Sequence, residues 1–333
     1  MRAVLITRRG GPEVVTVEER PRPACGPGQV RIAVAAAGVN YSDLLARAGL
    51  YADAPPLPAV MGYEVAGTVT EVGAGVDGIA VGDRVIAATR FGGQAEEAVA
   101  GAGDVFPLRQ ELSLAQGAAI PVNYATAWAA LFQFGGLRAG ERVLVHAAAG
   151  GVGIAAVQLA SHAGAEVWGT ASPAKHGAVR AQGADHALDY TARGWDRGLP
   201  RFDLVLDAIG GASVQRSYRL LRPGGRLVAY GASSVLHGGR RDLRRAAGPA
   251  LRMLRGFSVL RQIGDSKSVL GLNMLRLWDD RGTLEPWIAP LEELLDRGAI
   301  RPVVAAELPF ARAAEAHRML GERRNVGKVV LVP

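Results

Sequence analysis

A single cysteine, Cys25, is all that the 333 residues hold. No disulfide can form within the chain, and no cysteine cluster can bind a structural zinc. A reducing cytoplasm is the simplest setting. Long apolar runs are absent as well. The N-terminus, MRAVLITRRGG, offers only four apolar residues before two more arginines. A secretory signal needs a longer apolar core, so none is expected. Elsewhere the greasiest stretch is interrupted by His146, Gln158 and several glycines, which argues against a spanning helix and against stable membrane association. Low-complexity tails and internal repeats are missing too.

Lysine is also scarce. Of the 38 Lys and Arg residues only Lys175, Lys267 and Lys328 are lysines. The net charge of +7 and the pI of about 10 therefore reflect a chain-wide preference for arginine. The motifs of a nucleic-acid module are absent, and no nucleic-acid partner is expected. The one dense basic stretch is HGGRRDLRRAAGPALRMLRG, His237–Gly256. It reads as a solvated helix face or a subunit contact, with polyanion binding as the alternative.

What is present is 49% apolar residues and 21% charged ones, the balance of a globular protein with substantial cores. The length implies two domains. Up to about Pro121 the chain reads as short strands and turns: AVLITR (3–8), VVTVEER (14–20), QVRIAVAAAG (29–38), EVAGTVTEVGAGV (64–76) and GDRVIAAT (82–89). A mostly β first domain is expected. Then the pattern changes. A helical stretch (123–135) leads to strand RVLVHA (142–147), a glycine turn and a helix (153–164). Strand EVWGTA (166–171), a helix (173–182), strand FDLVLDAIG (202–210), a helix (212–221) and strand GGRLVAYG (224–231) follow. Strands alternating with helices imply a parallel sheet covered on both faces. The terminal strands PVVAAELP and KVVLVP resemble the opening domain again. The expected organisation is 1–122 catalytic, 123–263 nucleotide-binding and 264–333 a return to the catalytic domain.

The stretch HAAAGGVGIAAVQLA, His146–Ala160, lies between a strand and a helix. That is where a dinucleotide fold holds its pyrophosphate. Glycines let backbone amides approach the phosphates, and the helix N-terminus adds partial positive charge. The loop Ala149, Gly150, Gly151, Val152, Gly153 is the candidate cradle. Its glycines fit a Gly151-x-Gly153-x-x-Ala156 register. An acid about twenty residues on would bind the adenosine ribose of NAD. Here the second strand, with Thr170 at its end, runs into GTASPAKH without a carboxylate. Ser172 and Lys175 stand there instead. Such donors suit a ribose phosphate, so NADPH is the expected cofactor.

With AGVNYSDLLARAGLY (37–51), MGYEVAGTV (61–69), GDRV (82–85), the glycine stretch and NVGKVVLVP (325–333) in view, the chain resembles the zinc-independent quinone oxidoreductases of the medium-chain dehydrogenase/reductase superfamily over nearly its whole length. PVNYATAWAALFQFG and GTASPAKH align it with the branch that contains the vesicle amine transport protein 1 homologues. The resemblance implies a GroES-like catalytic domain beside a Rossmann domain, an overall α/β fold. It also implies a homodimer, with contacts expected at a Ser258–Ile263 strand and the arginine-rich segment before it. The family's phosphate motif, AxxGxxG, is matched by Ala147, Gly150 and Gly153, a register that competes with the first.

Zinc-using relatives take a cysteine where this chain has Asn40 and a histidine where it has Tyr63, and neither replacement is a usual zinc ligand. Alcohol dehydrogenation needs the metal to hold an alkoxide. The reaction implied is therefore metal-free reduction of a quinone or an α,β-unsaturated carbonyl. By the same resemblance Asn40, Tyr51 and Tyr63 are the candidate catalytic residues, with Tyr41 a weaker one. Asn40 and Thr126 are nicotinamide-side contacts, Tyr190 packs by the ribose phosphate, and Gly231, Ala232 and Asn325 lie along the cofactor. Lys328 reads as an exposed charge. His146 reads as a strand-end residue and Asp207 as the stabiliser of a strand-end turn. Two other functions stay open: an enoyl-thioester reductase, and a non-catalytic NADPH-binding sensor or adaptor.

Overall fold

The computed structural model describes residues 1–237, 240–241 and 258–333. The basic stretch His237–Gly256 therefore lies outside the described residues, apart from the backbone of three of them.

The middle of the chain folds as the alternation of strands and helices requires. Six strands form one parallel sheet in the order His186–Asp189, Glu166–Ala171, Arg142–Val145, Phe202–Asp207, Leu221–Ala229, Ser268–Gly271. Numbered along the chain this order is 3-2-1-4-5-6, the doubly wound Rossmann arrangement. The two central strands are buried on both faces, as near-continuous apolar runs must be: Val143, Leu144, Val145, Leu204, Val205 and Leu206 have no exposed surface. Strand order reverses between Arg142–Val145 and Phe202–Asp207. Ligands bind such folds outside the carboxyl ends of those strands.

The glycine-loop helix, Gly151–His162, is apolar nearly all round and sits inside the core. It packs against the helix Pro121–Trp128, which continues as a π-helical turn over Ala129–Phe134. Gln158, the polar residue inside this buried helix, accepts from Tyr124 Oη at 2.7 Å and from the Arg301 amide at 3.0 Å. Its own amide donates to the Arg301 carbonyl at 2.8 Å.

The other domain is mostly β. A seven-stranded sheet runs in the order Val304–Pro309, Lys328–Val332, Gln29–Val39, Glu64–Val72, Arg84–Ala88, Val105–Pro107, with Glu97–Gly101 also paired to Gln29–Val39. The strand Lys328–Val332 from the end of the chain lies antiparallel beside Gln29–Val39, so the chain does return. It returns later than residue 264. Ser268–Gly271 is still a strand of the Rossmann sheet, paired in parallel with Leu221–Ala229, and the first-domain sheet is rejoined at Val304. A four-residue strand is too short for periodicity to separate it from a loop.

Two further expectations are corrected. Ser258–Ile263 is no strand; Val259–Asp265 is a helix whose N-cap, Ser258, accepts from the Arg261 amide at 3.2 Å. The capping serine outweighs the β-branched residues that follow it. And the first domain carries a helix, Tyr41–Ala48. Its signals were a carboxylate at the third helical position and a glycine at the end. Asp43 accepts from the Asn40 amide at 2.8 Å, and Gly49 closes the helix in the left-handed conformation, φ 70°.

Candidate active site

The glycine turn is built by three different backbone demands. Ala147 takes φ 53°, turning the chain out of the strand. Gly150 is the N-cap, and a Cβ there would meet nothing closer than the Ala147 carbonyl at 3.3 Å. Gly153 must lack a side chain, because a Cβ would overlap that same carbonyl. Gly151 is closed as well: a Cβ would fall 2.6 Å from Asn123 Nδ2. The packing thus demands glycine at Gly151 and Gly153 and leaves Gly150 on the open side, so the one turn accommodates both registers.

Beneath the turn lies a buried polar chain. Thr170 Oγ1 accepts from the Ala147 amide at 3.3 Å, so its proton is free for His146 Nδ1 at 3.1 Å. His146 Nε2 then carries the hydrogen toward Ser217 Oγ at 3.0 Å, and Ser217 donates to Asp207 Oδ2 at 2.9 Å. Burial lowers the His146 pKa, consistent with a neutral ring. Asp207 Oδ1 accepts from the Ile209 and Gly210 amides at 2.8 and 2.9 Å. Both residues thus shape the strand ends, in keeping with their reading from sequence.

A cavity of ≈ 1060 Å³ opens from this turn. It brings every candidate together. Ala149, Gly150, Gly151, Val152 and Gly153 border it on one side, with Thr170, Ser172, Lys175 and Tyr190 beyond them. Gly231 and Ala232 follow the Leu221–Ala229 strand, and Asn325 approaches from the end of the chain. Asn40, Tyr51, Tyr63 and Thr126 border the opposite side. Tyr190 is 37% exposed. Lys175 Nζ donates to the carbonyls of Arg323 and Asn325, both at 2.6 Å. Gly327 N donates to Ala149 O at 2.9 Å. The 323–327 segment is thereby tied to both the phosphate turn and the candidate ribose-phosphate lysine.

The far side holds the largest departure from expectation. Lys328 is 3% exposed, not a surface charge. Its Nζ forms a buried ion pair with Glu64, which has no exposed surface, and donates to Asn40 Oδ1 at 2.6 Å. Asn40 Nδ2 donates to Glu64 Oε1 at 3.1 Å, and the Val122 amide donates to Glu64 Oε2 at 2.7 Å. The Asn40 amide, expected to be free for ligand, is engaged at both ends. Neither Glu64 nor the role of Lys328 was found by sequence reasoning. The available signal was Gly38, a glycine inside a strand, where a Cβ would fall 2.7 Å from Lys328 Cε.

Tyr51 and Tyr63 stand edge to face, ring centroids 6.5 Å apart, and Tyr63 packs on Phe91. Burial, with Asp53 adding to it, pushes the Tyr51 pKa up to about 12, and burial pushes Tyr63 up further. Both remain protonated donors at neutral pH. Tyr41 donates to the Ser233 carbonyl at 3.0 Å. Burial also raises the Asp43 carboxyl to about 7, against the lowering effect of the Asn40 amide and Lys328.

The donor set does not fit zinc. Asn40 and Tyr63 stand at the candidate position, and among the described residues no group of three or more His, Cys, Asp or Glu could hold a metal. It does fit a dinucleotide. Gly150 leaves the turn open, and Ser234 Oγ beside the cavity is a buried hydroxyl without a partner.

A Rossmann sheet joined to a GroES-like β domain, with one cavity spanning both, defines a medium-chain dehydrogenase/reductase. Comparisons with known proteins agree. The Alcohol dehydrogenase GroES-like domain family matches residues 26–130, and the Zinc-binding dehydrogenase family matches residues 182–331. The chain belongs to the medium-chain dehydrogenase/reductase superfamily of oxidoreductases. Within it, the chain is 38% identical to the human Synaptic vesicle membrane protein VAT-1 homolog, over 100% of its own length and 86% of the relative's. A Pseudomonas syringae quinone oxidoreductase matches with TM-score 0.85 and 29% identity, covering 100% of this chain and 99% of its own. A mycobacterial protein solved with NADPH matches with TM-score 0.85 and 31% identity, both chains being covered fully. Similar structures also include an NAD-dependent alcohol dehydrogenase (TM-score 0.84, 32% identity) and the CurK enoyl reductase (TM-score 0.85, 25% identity). Among the described residues, no helix is long and apolar enough to cross a membrane.

Proposed function

We propose that this chain is a metal-free, NADPH-dependent reductase of quinones or α,β-unsaturated carbonyls. One observation carries the reading: a single cavity joins an acid-free nucleotide end to an end furnished with neutral hydrogen-bond donors. In the nucleotide half the turn at Gly150 would take the pyrophosphate, and Ser172, Lys175 and Tyr190 would take the ribose phosphate. Thr126, Gly231, Ala232 and Asn325 would border the rest of the cofactor. When bound, NADPH supplies a hydride to the electron-poor carbon of the acceptor.

The protein's part is to stabilise the oxygen on which charge develops. Asn40 and Tyr51 are the donors beside that position, and Tyr63 backs Tyr51. Tyr51 keeps its proton at neutral pH, so it can donate a hydrogen bond and then the proton itself. Homodimerisation belongs to the same reading. Val259, Leu260 and Ile263 on the helix Val259–Asp265 are exposed apolar residues, and sedimentation would show whether two copies pair. A reducing cytoplasm is the setting in which NADPH would drive the reaction.

The test is steady-state oxidation of NADPH and NADH with an ortho-quinone, a simple enone and a crotonyl thioester. The reading expects turnover with the quinone or enone and a preference for NADPH. Faster turnover of the thioester would make this an enoyl-thioester reductase instead. Binding of NADPH without turnover of any acceptor would make it a sensor or adaptor.

A further inference from the structure

We propose that Lys328 is a positioning residue that fixes which end of the Asn40 amide faces the cavity. The inference rests on the reductase reading for its consequence, but its geometry stands alone. Asparagine oxygen and nitrogen differ chemically yet occupy the same shape, so an amide side chain is oriented by its partners. Here the partners leave no choice. Lys328 offers only donors, and it meets Oδ1 at 2.6 Å. The Glu64 carboxylate offers only acceptors, and it meets Nδ2 at 3.1 Å. Turning the amide over would set its NH2 against the ammonium and its oxygen against the carboxylate. Both contacts would be repulsive, in a place with almost no water.

Glu64 is itself held. Its other oxygen accepts from the Val122 amide at 2.7 Å, and its pairing with Lys328 balances the buried charge. The two ions lie 264 residues apart in sequence, on two strands that both pair with Gln29–Val39. Gly38 on that strand supplies the room: a Cβ there would fall within 2.8 Å of both side chains.

The consequence is polarity. With Oδ1 held on the Lys328 ammonium and one N–H held on Glu64, the unengaged N–H of Asn40 is the group turned away from both ions. Asn40 therefore offers the cavity a donor in preference to an acceptor. A donor favours the oxygen of an acceptor as it gains negative charge; an acceptor would repel it. Lys328 thus selects for substrates whose reacting group is a carbonyl or quinone oxygen, acting through Asn40 and not by touching the substrate.

The test uses the whole protein. Lys328→Met alone would strand a buried carboxylate, so the working variant is the charge-balanced pair Lys328→Met with Glu64→Gln. It is made in the wild-type and Asn40→Ala backgrounds. The lock is read directly by NMR. The chain has only four asparagines, Asn40, Asn123, Asn273 and Asn325, so selective labelling with ¹⁵N-asparagine gives four side-chain NH2 pairs. The pair lost in Asn40→Ala belongs to Asn40. Its two protons should be widely separated in the wild type, one on a carboxylate and one free, and should converge in the charge-balanced variant. In turnover, that variant should lose roughly tenfold or more in kcat while KM for NADPH holds, and in the Asn40→Ala background it should lose nothing further. An unsplit wild-type pair, a splitting that survives in the variant, or a kcat loss that persists without Asn40 would each overturn the proposal. Failure of the wild type to reduce any quinone or enone would instead sink the reductase reading, and the NMR result would still decide the lock.

Discussion

The two ends of the cavity are built by opposite means. The nucleotide end is backbone: a turn at Ala147, a cap at Gly150 and a helix start, all within a few residues of one another. The acceptor end is side chains drawn from far apart. Asn40, Glu64 and Lys328 come from the start of a helix, a central strand and the last strand of the chain. The first needs openness and free amides. The second needs burial and full pairing. An open backbone cradle tolerates change in its surroundings, whereas a buried ion pair loses its balance when either member goes.

That contrast orders the predictions. Glu64→Ala should do the most harm, leaving Lys328 charged and unpaired in the interior. A loss of about 3–5 kcal/mol is expected, read as a fall in the urea midpoint. The charge-balanced pair should lose far less, and equal losses would mean that the ion pair does not organise this end.

Asp43 should give a pH signature. Its folded pKa, about 7, lies above its ordinary 3.8. Between those values the folded state binds more protons than the unfolded one, so stability falls as pH rises through the window and is flat above it. Asp43→Asn removes this slope. Thermal melts from pH 4 to pH 8 should show the wild type losing ground to the variant up to about pH 7, then holding level. Parallel curves would contradict the assignment.

At the nucleotide end, Lys175→Ala should weaken NADPH by roughly tenfold or more, the value of one charge-assisted hydrogen bond of about 1.5–3 kcal/mol. NADH should change much less. Equal weakening would mean that Lys175 serves only to hold the Arg323 and Asn325 carbonyls. Gly38→Ala should have the smallest effect, about 1–3 kcal/mol of overpacking. Its kcat should fall with its stability while NADPH affinity holds, since the intruding Cβ lies at the acceptor end alone.

The same contrast explains what could be read in advance. Strand, glycine turn and helix are contiguous, and each has a local signal, so the turn and four of the six parallel strands followed from periodicity and turn chemistry, whereas the four-residue strands His186–Asp189 and Ser268–Gly271 did not. The choice of glycine register did not, because the two registers share Gly153 and lie on the same turn. The Glu64–Lys328 pair has no local signal. A lysine at the first position of a strand reads the same whether its side chain is buried or wet, and pairing across 264 residues is visible only once the sheet exists. The helix Val259–Asp265 was misjudged because its apolar residues are β-branched or exposed, so its capping serine was the sole clue. Asn40 lines the cavity, yet its partners Glu64 and Lys328 sit inside the stretches MGYEVAGTV and NVGKVVLVP with nothing there to show that they pair.

The central claim is that one cavity holds a nicotinamide dinucleotide, phosphorylated on its ribose, with its reactive ring toward Asn40. Calorimetric titration of the wild-type protein with NADPH and with NADH tests it most directly. Saturable binding of one NADPH per chain is expected, at least roughly tenfold tighter than NADH. Absence of binding by either nucleotide, or a clear preference for NADH, would contradict it.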